Sequence, residues 1–296
     1  MAKKSLCGRN GITPNLGAND GARLFQLSDE PFEDFRPTIL MAEYYFGAGI
    51  SYDTGVRDFA WYQRNKKTTE RYAEKTSKVF PNFGLAVLHN NRVDVFIRFA
   101  NFKFRPSQAD CLHVDLFVGG RNVFGDAGSY SYHEHEHNYF SGTEYHNTIV
   151  FDGHDQMPRV GKFLFGKWIE MDEVGAIQGG GPNASWAGQY TDTHGNRHRR
   201  EVDIDLKCLR VSDRLSGPYK SATLSWHLDN SSWILTESGA RSSEVDVSIQ
   251  TSGSRVIELD EGWRSKRYQL KQVVPVLRVK LDPQCRDIRT TVKLLA

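Results

Sequence analysis

Residues 201–208 read Glu-Val-Asp-Ile-Asp-Leu-Lys-Cys, so that charged and apolar side chains alternate along the whole stretch. Successive side chains of a β-strand point to opposite faces, and this run therefore predicts a strand with one buried face and one solvated face. The same period of two recurs at residues 93–99, 222–228 and 245–249. Turn-forming residues separate the runs, as at Gly119-Gly120. From about residue 76 onward the chain is predicted to be mainly β, with stacked antiparallel sheets in a sandwich-like arrangement.

The first 75 residues follow a different pattern. Glycine, proline and asparagine are frequent up to about residue 30, which is typical of loops. Apolar residues at spacings of three and four then predict a short helix over Arg36–Phe46 and a second over Val56–Arg64. Two such helices bury little surface on their own. We therefore expect residues 1–75 to be the end of a larger helical domain and residues 76–296 to form the β-domain.

Composition excludes two classes of function. The 296 residues carry a formal net charge of +2, with basic and acidic residues mixed along the chain, so no nucleic-acid-binding pattern is present. No apolar run approaches the length of a membrane span, and no apolar segment follows the basic N-terminus, so the sequence as it stands predicts a cytoplasmic protein. The four cysteines are widely spaced and are expected to be free thiols.

Polar residues in the segment 105–153 are candidates for a metal site. Two strands joined at Gly119-Gly120 would carry Asp110 and Asp126 to one region, and a third strand would bring His146 there. Aspartate and histidine bind divalent metals, but buried His-Asp pairs without a metal are also common. The residues alone leave both interpretations open.

Two motifs in this segment resemble the sheet domain of the heparinase II/III-type polysaccharide lyases. The turn D-x-G-[ST]-Y-x-Y is matched at residues 126–132, and H-N-T-[IV]-x-[FV]-D-G is matched at residues 146–153. Trp263, Arg267-Tyr268 and residues 275–277 also fit the C-terminal strands of that family. The resemblance extends from about residue 80 to the end of the sequence.

The resemblance implies a lyase that cleaves uronate-containing polysaccharides by β-elimination, in which a base removes the proton next to the uronate carboxylate. It implies a helical toroid that supplies an Asn or His and a Tyr, and a sheet domain that supplies a catalytic His. The sheet domain also holds a structural divalent metal, zinc or calcium, for which Asp126 and His146 match two ligands. An acidic polysaccharide is the implied partner. Tyr130 and Tyr132 are candidate substrate-binding residues that either stack on sugar rings or pack within the sheet, and Asn147 is a third candidate. A longer native form is expected in the periplasm or cell envelope.

The chain departs from the family at its H-x-H-x-D strand, which we align with residues 106–110. Pro106 then stands at the catalytic histidine and has no group that accepts a proton, while Gln108 is a weak third metal ligand. His113 is predicted to lie on the opposite face of this strand, out of reach of the metal. The toroid residues have no match either. We therefore expect weak or no lyase activity from this chain alone, with a non-catalytic carbohydrate-binding or accessory module of exopolysaccharide metabolism as the alternative.

Two other stretches allow further interpretations. Residues 133–137 contain H-E-x-x-H, which binds zinc in hydrolases when it lies on a helix. No apolar helical face accompanies this stretch, so an exposed polar loop is expected. Residues 197–200, Arg-His-Arg-Arg, follow a turn and either grip an acidic sugar chain or form a solvated hairpin tip.

Overall fold

The computed structural model describes residues 11–15, 17, 34–46 and 75–295. The predicted helix over Arg36–Phe46 is confirmed, whereas the predicted helix over Val56–Arg64 lies outside the described residues. The domain boundary expected near residue 75 stays a prediction. No helix in the described ranges is long and apolar enough to cross a membrane.

Within these ranges the chain is mainly β, as predicted, with two α-helices and twenty strands. The helices are α1 (Arg36–Phe46) and α2 (Glu134–Ser141). The strands are β1 (Lys78–Phe80), β2 (Leu85–His89), β3 (Val93–Arg98), β4 (Val114–Val118), β5 (Arg121–Phe124), β6 (Ile149–Phe151), β7 (Arg159–Gly161), β8 (Leu164–Phe165), β9 (Met171–Val174), β10 (Gln178–Gly180), β11 (Asn183–Thr191), β12 (Arg197–Ile204), β13 (Cys208–Ser216), β14 (Ala222–His227), β15 (Ile234–Thr236), β16 (Gly239–Arg241), β17 (Val245–Thr251), β18 (Arg255–Arg267), β19 (Leu270–Leu281) and β20 (Asp287–Leu294).

The described strands form three larger antiparallel sheets and one two-stranded hairpin. Sheet A has the order β1-β2-β3-β4-β5, and sheet C has the order β18-β19-β14-β6. Sheet B has the order β10-β11-β12-β13-β20-β17-β16-β15, with β9 also paired to β11. The strands β7 and β8 form the separate hairpin.

One apolar core joins the three sheets. Val95 of sheet A, Val211 of sheet B and Leu224 of sheet C are fully buried in the same cluster. The other face of sheet A is also covered, because Phe96 and Phe117 form a second buried cluster there. Burial on both faces explains why β3 carries apolar residues at adjacent positions rather than in strict alternation.

The pattern at residues 201–208 predicted a single strand, and this prediction is wrong. β12 ends at Ile204 and β13 begins at Cys208. Between them the Asp205 carboxylate accepts hydrogen bonds from the backbone amides of Lys207 and Cys208, at 2.6 and 2.9 Å, and so stabilises a tight turn. Leu206 therefore lies at the tip of a hairpin and is 45% exposed instead of facing the core.

Candidate metal site and surrounding surface

Three polar side chains, those of His113, Asp126 and His146, meet in the interior of the fold. All three residues are buried, and one potential ligand atom from each lies within 4.8 Å of the others. The Nδ1 atom of His146 is 2.8 Å from the Oδ2 atom of Asp126, and His113 Nε2 is 3.8 Å from the same oxygen. We call these three residues the buried trio.

A different segment of the chain positions each member of the buried trio. His113 immediately precedes β4, Asp126 follows β5, and His146 precedes β6. The Oδ1 atom of Asp126 accepts hydrogen bonds from the Gly128 amide at 2.6 Å and from Asn15 Nδ2 at 3.3 Å. These bonds shape the D-x-G turn around the carboxylate and leave its second oxygen directed at the histidines.

Asp126 and His146 set each other's protonation. Burial alone would raise the pKa of the Asp126 carboxyl group, but the positive charge of His146 and its hydrogen bond lower this pKa below its usual value. Burial alone would lower the pKa of His146, whereas the Asp126 carboxylate raises it. The pair therefore favours an ionised carboxylate beside a protonated imidazole.

The buried trio has the donor set of a divalent metal site. Two imidazoles and one carboxylate suit zinc, and the Nε2 atom of His146 has no hydrogen-bond partner among the described residues. The backbone amide of Asn147 donates to His113 Nδ1 at 2.9 Å, so the proton of a neutral His113 resides on Nε2. To bind a metal through Nε2, His113 would have to carry its proton on Nδ1 and give up the bond from the Asn147 amide. Since metal-bound imidazoles are neutral, metal affinity is expected to fall as the pH is lowered.

The expectation that His113 is out of reach of this site is wrong. Residues 105–113 form bends and a turn rather than a strand, so their side chains do not alternate between two faces. Leu112 adopts a left-handed backbone with φ of 59°, which redirects the chain just before His113. Gln108 is also buried, and its Nε2 atom donates to the Gly128 carbonyl oxygen at 3.1 Å. Its role as a metal ligand stays a prediction.

The position of His113 changes the alignment with the family's H-x-H-x-D pattern. His113-Val114-Asp115 matches the last three positions of that pattern, and this spacing is the sequence signal that could have identified His113. The first position is then occupied by Cys111 instead of Pro106. Burial raises the pKa of the Cys111 thiol to about 12, so the thiol stays protonated and cannot act as a base near neutral pH.

The three predicted substrate-binding residues have different environments. Asn147 is fully buried, and its Nδ2 atom donates to the carbonyl oxygens of Val114 and Gly125, at 2.9 and 3.2 Å, next to His113 and Asp126. Its Oδ1 atom accepts from the His227 amide. These bonds indicate that Asn147 braces the segments of the buried trio.

Tyr130 and Tyr132 are instead partly exposed, on a surface where aromatic rings alternate with cations. The ring of Tyr132 packs against Phe163 and Tyr268, with centroids 5.4 Å apart in both pairs. We define the aromatic–basic face as the following exposed or partly exposed residues: Arg105, Tyr130, Tyr132, Lys162, Phe163, Trp263, Tyr268 and Lys271.

The stretch at residues 133–137 is largely helical, contrary to the polar loop that we expected. His133 precedes the first residue of α2, and its side chain is 76% exposed, while His137 packs against Tyr132 and Phe163. Phe140, which is 3% exposed, anchors the helix from its C-terminal end, beyond the stretch that the motif covers. Among the described residues, the group that can hold a metal is the buried trio, and it includes none of the histidines at residues 133–137.

Residues 197–200 do not form a solvated hairpin tip. They begin β12, and their side chains alternate between solvent and the interior. Arg199 pairs with Glu173 on the exposed side. His198 and Arg200 are fully buried, and both contact the carboxylate of Asp213.

One family model and several solved structures are similar to this chain. The family model described as heparinase II/III-like, C-terminal, matches residues 73–291. Similar solved structures include a heparinase III gene product, with a TM-score of 0.75 and 14% identity over 100% of this chain. The heparan sulfate lyase HepC from Pedobacter heparinus has a TM-score of 0.74 and 18% identity over 99% of this chain. A comparison with curated proteins found no match.

A more distant similarity is to the chondroitin AC lyase of Streptomyces coelicolor A3 in complex with chondroitin sulphate, with a TM-score of 0.55 and 10% identity over 99% of this chain. Because the sequence identities are only 10–18%, the structural similarity establishes the fold and nothing more specific. The chain spans 45% of the heparinase III, 45% of the heparan sulfate lyase and 47% of the chondroitin AC lyase.

Proposed function

Because this chain belongs to the heparinase II/III-like family through its C-terminal domain, we propose that it binds uronate-containing acidic polysaccharide as the sheet part of a polysaccharide lyase-type protein. The similar structures include a heparan sulfate lyase and a chondroitin AC lyase in complex with chondroitin sulphate. Both names refer to anionic polysaccharides, and we propose that this chain binds a ligand of the same class.

The observation that carries the proposal is the aromatic–basic face. The Nζ atom of Lys271 lies 4.3 Å from the ring centroid of Tyr130 and 4.8 Å from that of Trp263. Lys162 and Arg105 lie 5.2 and 5.9 Å from the ring centroid of Phe163. Aromatic rings pack against the apolar faces of sugars, and the adjacent cations pair with carboxylate or sulfate groups.

The electrostatic field near this face favours anions. Burial lowers the pKa of His137, which packs against Phe163, and the charges of Arg159, Lys162 and Arg105 lower it further. Cations that disfavour a protonated imidazole must equally attract a negatively charged ligand. A cleft of about 380 Å³ lies beside α2 and is lined in part by Asn138, Asp155 and Arg159. The cleft is separate from the aromatic–basic face, since none of the residues that define the face lines it.

We further propose that the buried trio holds a structural metal, with zinc preferred to calcium because imidazole nitrogen is a poor ligand for calcium. When bound, such a metal crosslinks the three segments and balances the buried carboxylate. The D-x-G turn places Asp126 four residues before Tyr130. The metal therefore stabilises the turn from which part of the aromatic–basic face projects.

A second candidate function is polysaccharide binding without cleavage, and the residues at the family's catalytic position favour it. Pro106 has no group that accepts a proton, and the Cys111 thiol stays protonated at neutral pH. Neither residue can remove the proton next to a uronate carboxylate, so the sheet part lacks this base under either alignment.

Incubation of the full chain with heparan sulfate, chondroitin sulfate and other uronate polysaccharides tests both candidates. Binding is measured by calorimetry, cleavage by the ultraviolet absorbance of unsaturated uronides, and chain length by size-exclusion chromatography. Binding with release of unsaturated uronides supports the lyase, and binding without a change in chain length supports the non-catalytic module. Failure to bind any of the polysaccharides overturns both.

A further inference from the structure

A buried ion pair lies next to the buried trio and is not part of it. Arg200 on β12 and Asp213 on β13 are opposite each other in sheet B, and both side chains have no exposed surface. Arg200 Nε lies 2.6 Å from Asp213 Oδ1, and Nη2 lies 3.1 Å from Oδ2, so the pair is bidentate. Burial opposes ionisation of Asp213, but the charge of Arg200 lowers its pKa to about 2. The Asp213 carboxyl group is therefore ionised near neutral pH.

The remaining terminal nitrogen of Arg200 connects the two histidine segments of the buried trio. Its Nη1 atom donates to the carbonyl oxygens of Leu112 and Asn147, each at 2.6 Å. Leu112 directly precedes His113, and Asn147 directly follows His146. One nitrogen atom thus fixes the backbone beside both histidines, and the Asp213 carboxylate fixes the guanidinium that carries it.

This contact supports a backbone conformation that leucine rarely adopts. Leu112 has φ of 59°, in the left-handed region that disfavours side chains larger than hydrogen. The bond from Arg200 to the Leu112 carbonyl oxygen, together with the Leu112 amide donating to the Arg98 carbonyl oxygen at 2.8 Å, holds this turn. His113 reaches Asp126 only because the chain turns here.

Stability alone does not explain a fully buried arginine. Apolar side chains of similar volume often replace a buried ion pair without loss of stability, whereas a planar guanidinium can contact a carboxylate and two carbonyl oxygens in one fixed geometry. We propose that Arg200 is a positioning residue of the metal site, which sets the separation of His113 and His146. This inference rests on the metal binding proposed above.

The test compares metal binding by the full chain and by four variants after removal of metal with a chelator. Arg200→Lys keeps the charge but loses the fork of donors, and Arg200→Met removes both. Arg200→Met combined with Asp213→Asn leaves no unpaired buried charge and keeps an acceptor for His198, whose Nε2 atom contacts Asp213 at 2.7 Å. Arg199→Met is the matched control, since Arg199 lies on the same strand and its side chain faces outward.

Zinc affinity is measured by titration, and the geometry of the site by the visible absorption of bound cobalt. We expect the Arg199 variant to match the unchanged chain. Cooperative unfolding shows which Arg200 variants are folded. These folded variants should bind zinc about 10- to 100-fold more weakly than the unchanged chain, which is the usual effect of losing a group that orients metal ligands. Their cobalt spectra should also change, which a loss of stability alone would not produce.

Two outcomes would overturn the inference in different ways. If the unchanged chain binds neither zinc nor cobalt, the metal site itself is absent. If the unchanged chain binds metal and the folded double variant has the same affinity and cobalt spectrum, the metal site stands and Arg200 does not position it.

Discussion

A Cβ atom added to Gly128 would lie 1.7 Å from the carbonyl oxygen of Ser265. Gly128 has φ of 89°, and a parallel bridge joins it to Ser265 at the end of β18. The Ser265 amide donates to the Ala127 carbonyl oxygen at 2.7 Å. The glycine of the D-x-G turn is thus required twice, by its left-handed backbone and by the contact between the turn and sheet C.

We predict that Gly128→Ala destabilises the fold far more than Gly119→Ala. Gly119 also has a positive φ, of 58°, but an added Cβ would meet nothing within 4 Å. Its substitution should cost only the backbone term, about 1 kcal/mol. The Gly128 variant adds a clash with backbone, and urea unfolding of both variants measures the difference. Equal losses in the two variants would contradict the contact with Ser265.

We predict that His113→Gln abolishes stoichiometric zinc binding, whereas Gln108→Ala retains it. His113 shares the buried trio with Asp126 and His146, and loss of one of three protein ligands removes most of the affinity of such a site. Zinc content after dialysis, measured by mass spectrometry, distinguishes the two variants. The reverse result would favour Gln108, rather than His113, as the third ligand.

We predict that substitutions on the aromatic–basic face weaken polysaccharide binding without changing stability. Phe163 is 38% exposed and lies between Arg105 and Lys162. Phe163→Ala or Lys162→Ala should each reduce affinity for heparan sulfate about tenfold, because each removes one proposed ligand contact, a ring against a sugar face or a cation beside an anionic group, of about 1.4 kcal/mol. Calorimetric titration at two salt concentrations measures the effect, and only the lysine variant should lower the salt dependence.

Lys293→Ala is the control for this series, because Lys293 is exposed on β20 of sheet B, away from the face. If this variant loses as much affinity as Lys162→Ala, binding depends on overall charge rather than on the aromatic–basic face.

We predict that the metal-free chain loses stability as the pH falls below about 6.5, the ordinary pKa of histidine, and that His227 causes part of this loss. Burial lowers the pKa of His227 to about 3, and the charges of His146 and His113 also lower it. Between these values the unfolded chain binds a proton that the folded chain does not, which costs up to about 1.4 kcal/mol per pH unit.

Urea unfolding in the presence of a chelator, from about pH 7 to about pH 4, should therefore give a smaller slope for His227→Gln than for the unchanged chain. The exposed His154 provides the control substitution, His154→Gln. His146 acts in the opposite direction, because its raised pKa stabilises the fold at low pH and that contribution is lost as the pH rises. An unchanged slope in the His227 variant would show that this imidazole does not stay neutral in the folded state.

The class of fold and two members of the buried trio were predictable from sequence, because strand alternation and the motifs around Asp126 and His146 are local patterns. His113, the third member, was missed although its spacing to Asp115 matches the family pattern. Strand alternation placed it on the wrong face, because no local pattern marks Leu112 as a residue whose left-handed backbone turns the chain. Leu206 was misplaced for a similar reason, because the alternation of polar and apolar residues continues unchanged through the tight turn between β12 and β13. The helix α2 was missed because its anchor, Phe140, lies beyond the polar stretch.

The hydrogen bonds that Arg200 donates to the carbonyl oxygens of Leu112 and Asn147 constrain the order in which the parts of the fold come together. The three residues of the buried trio occur between residues 113 and 146, yet the groups that fix their backbone come from β12 and β13. During synthesis on the ribosome these strands emerge only after all three trio residues, and closing such long loops delays folding. The site therefore cannot reach its final shape until β12 and β13 have docked against the segments that carry the buried trio.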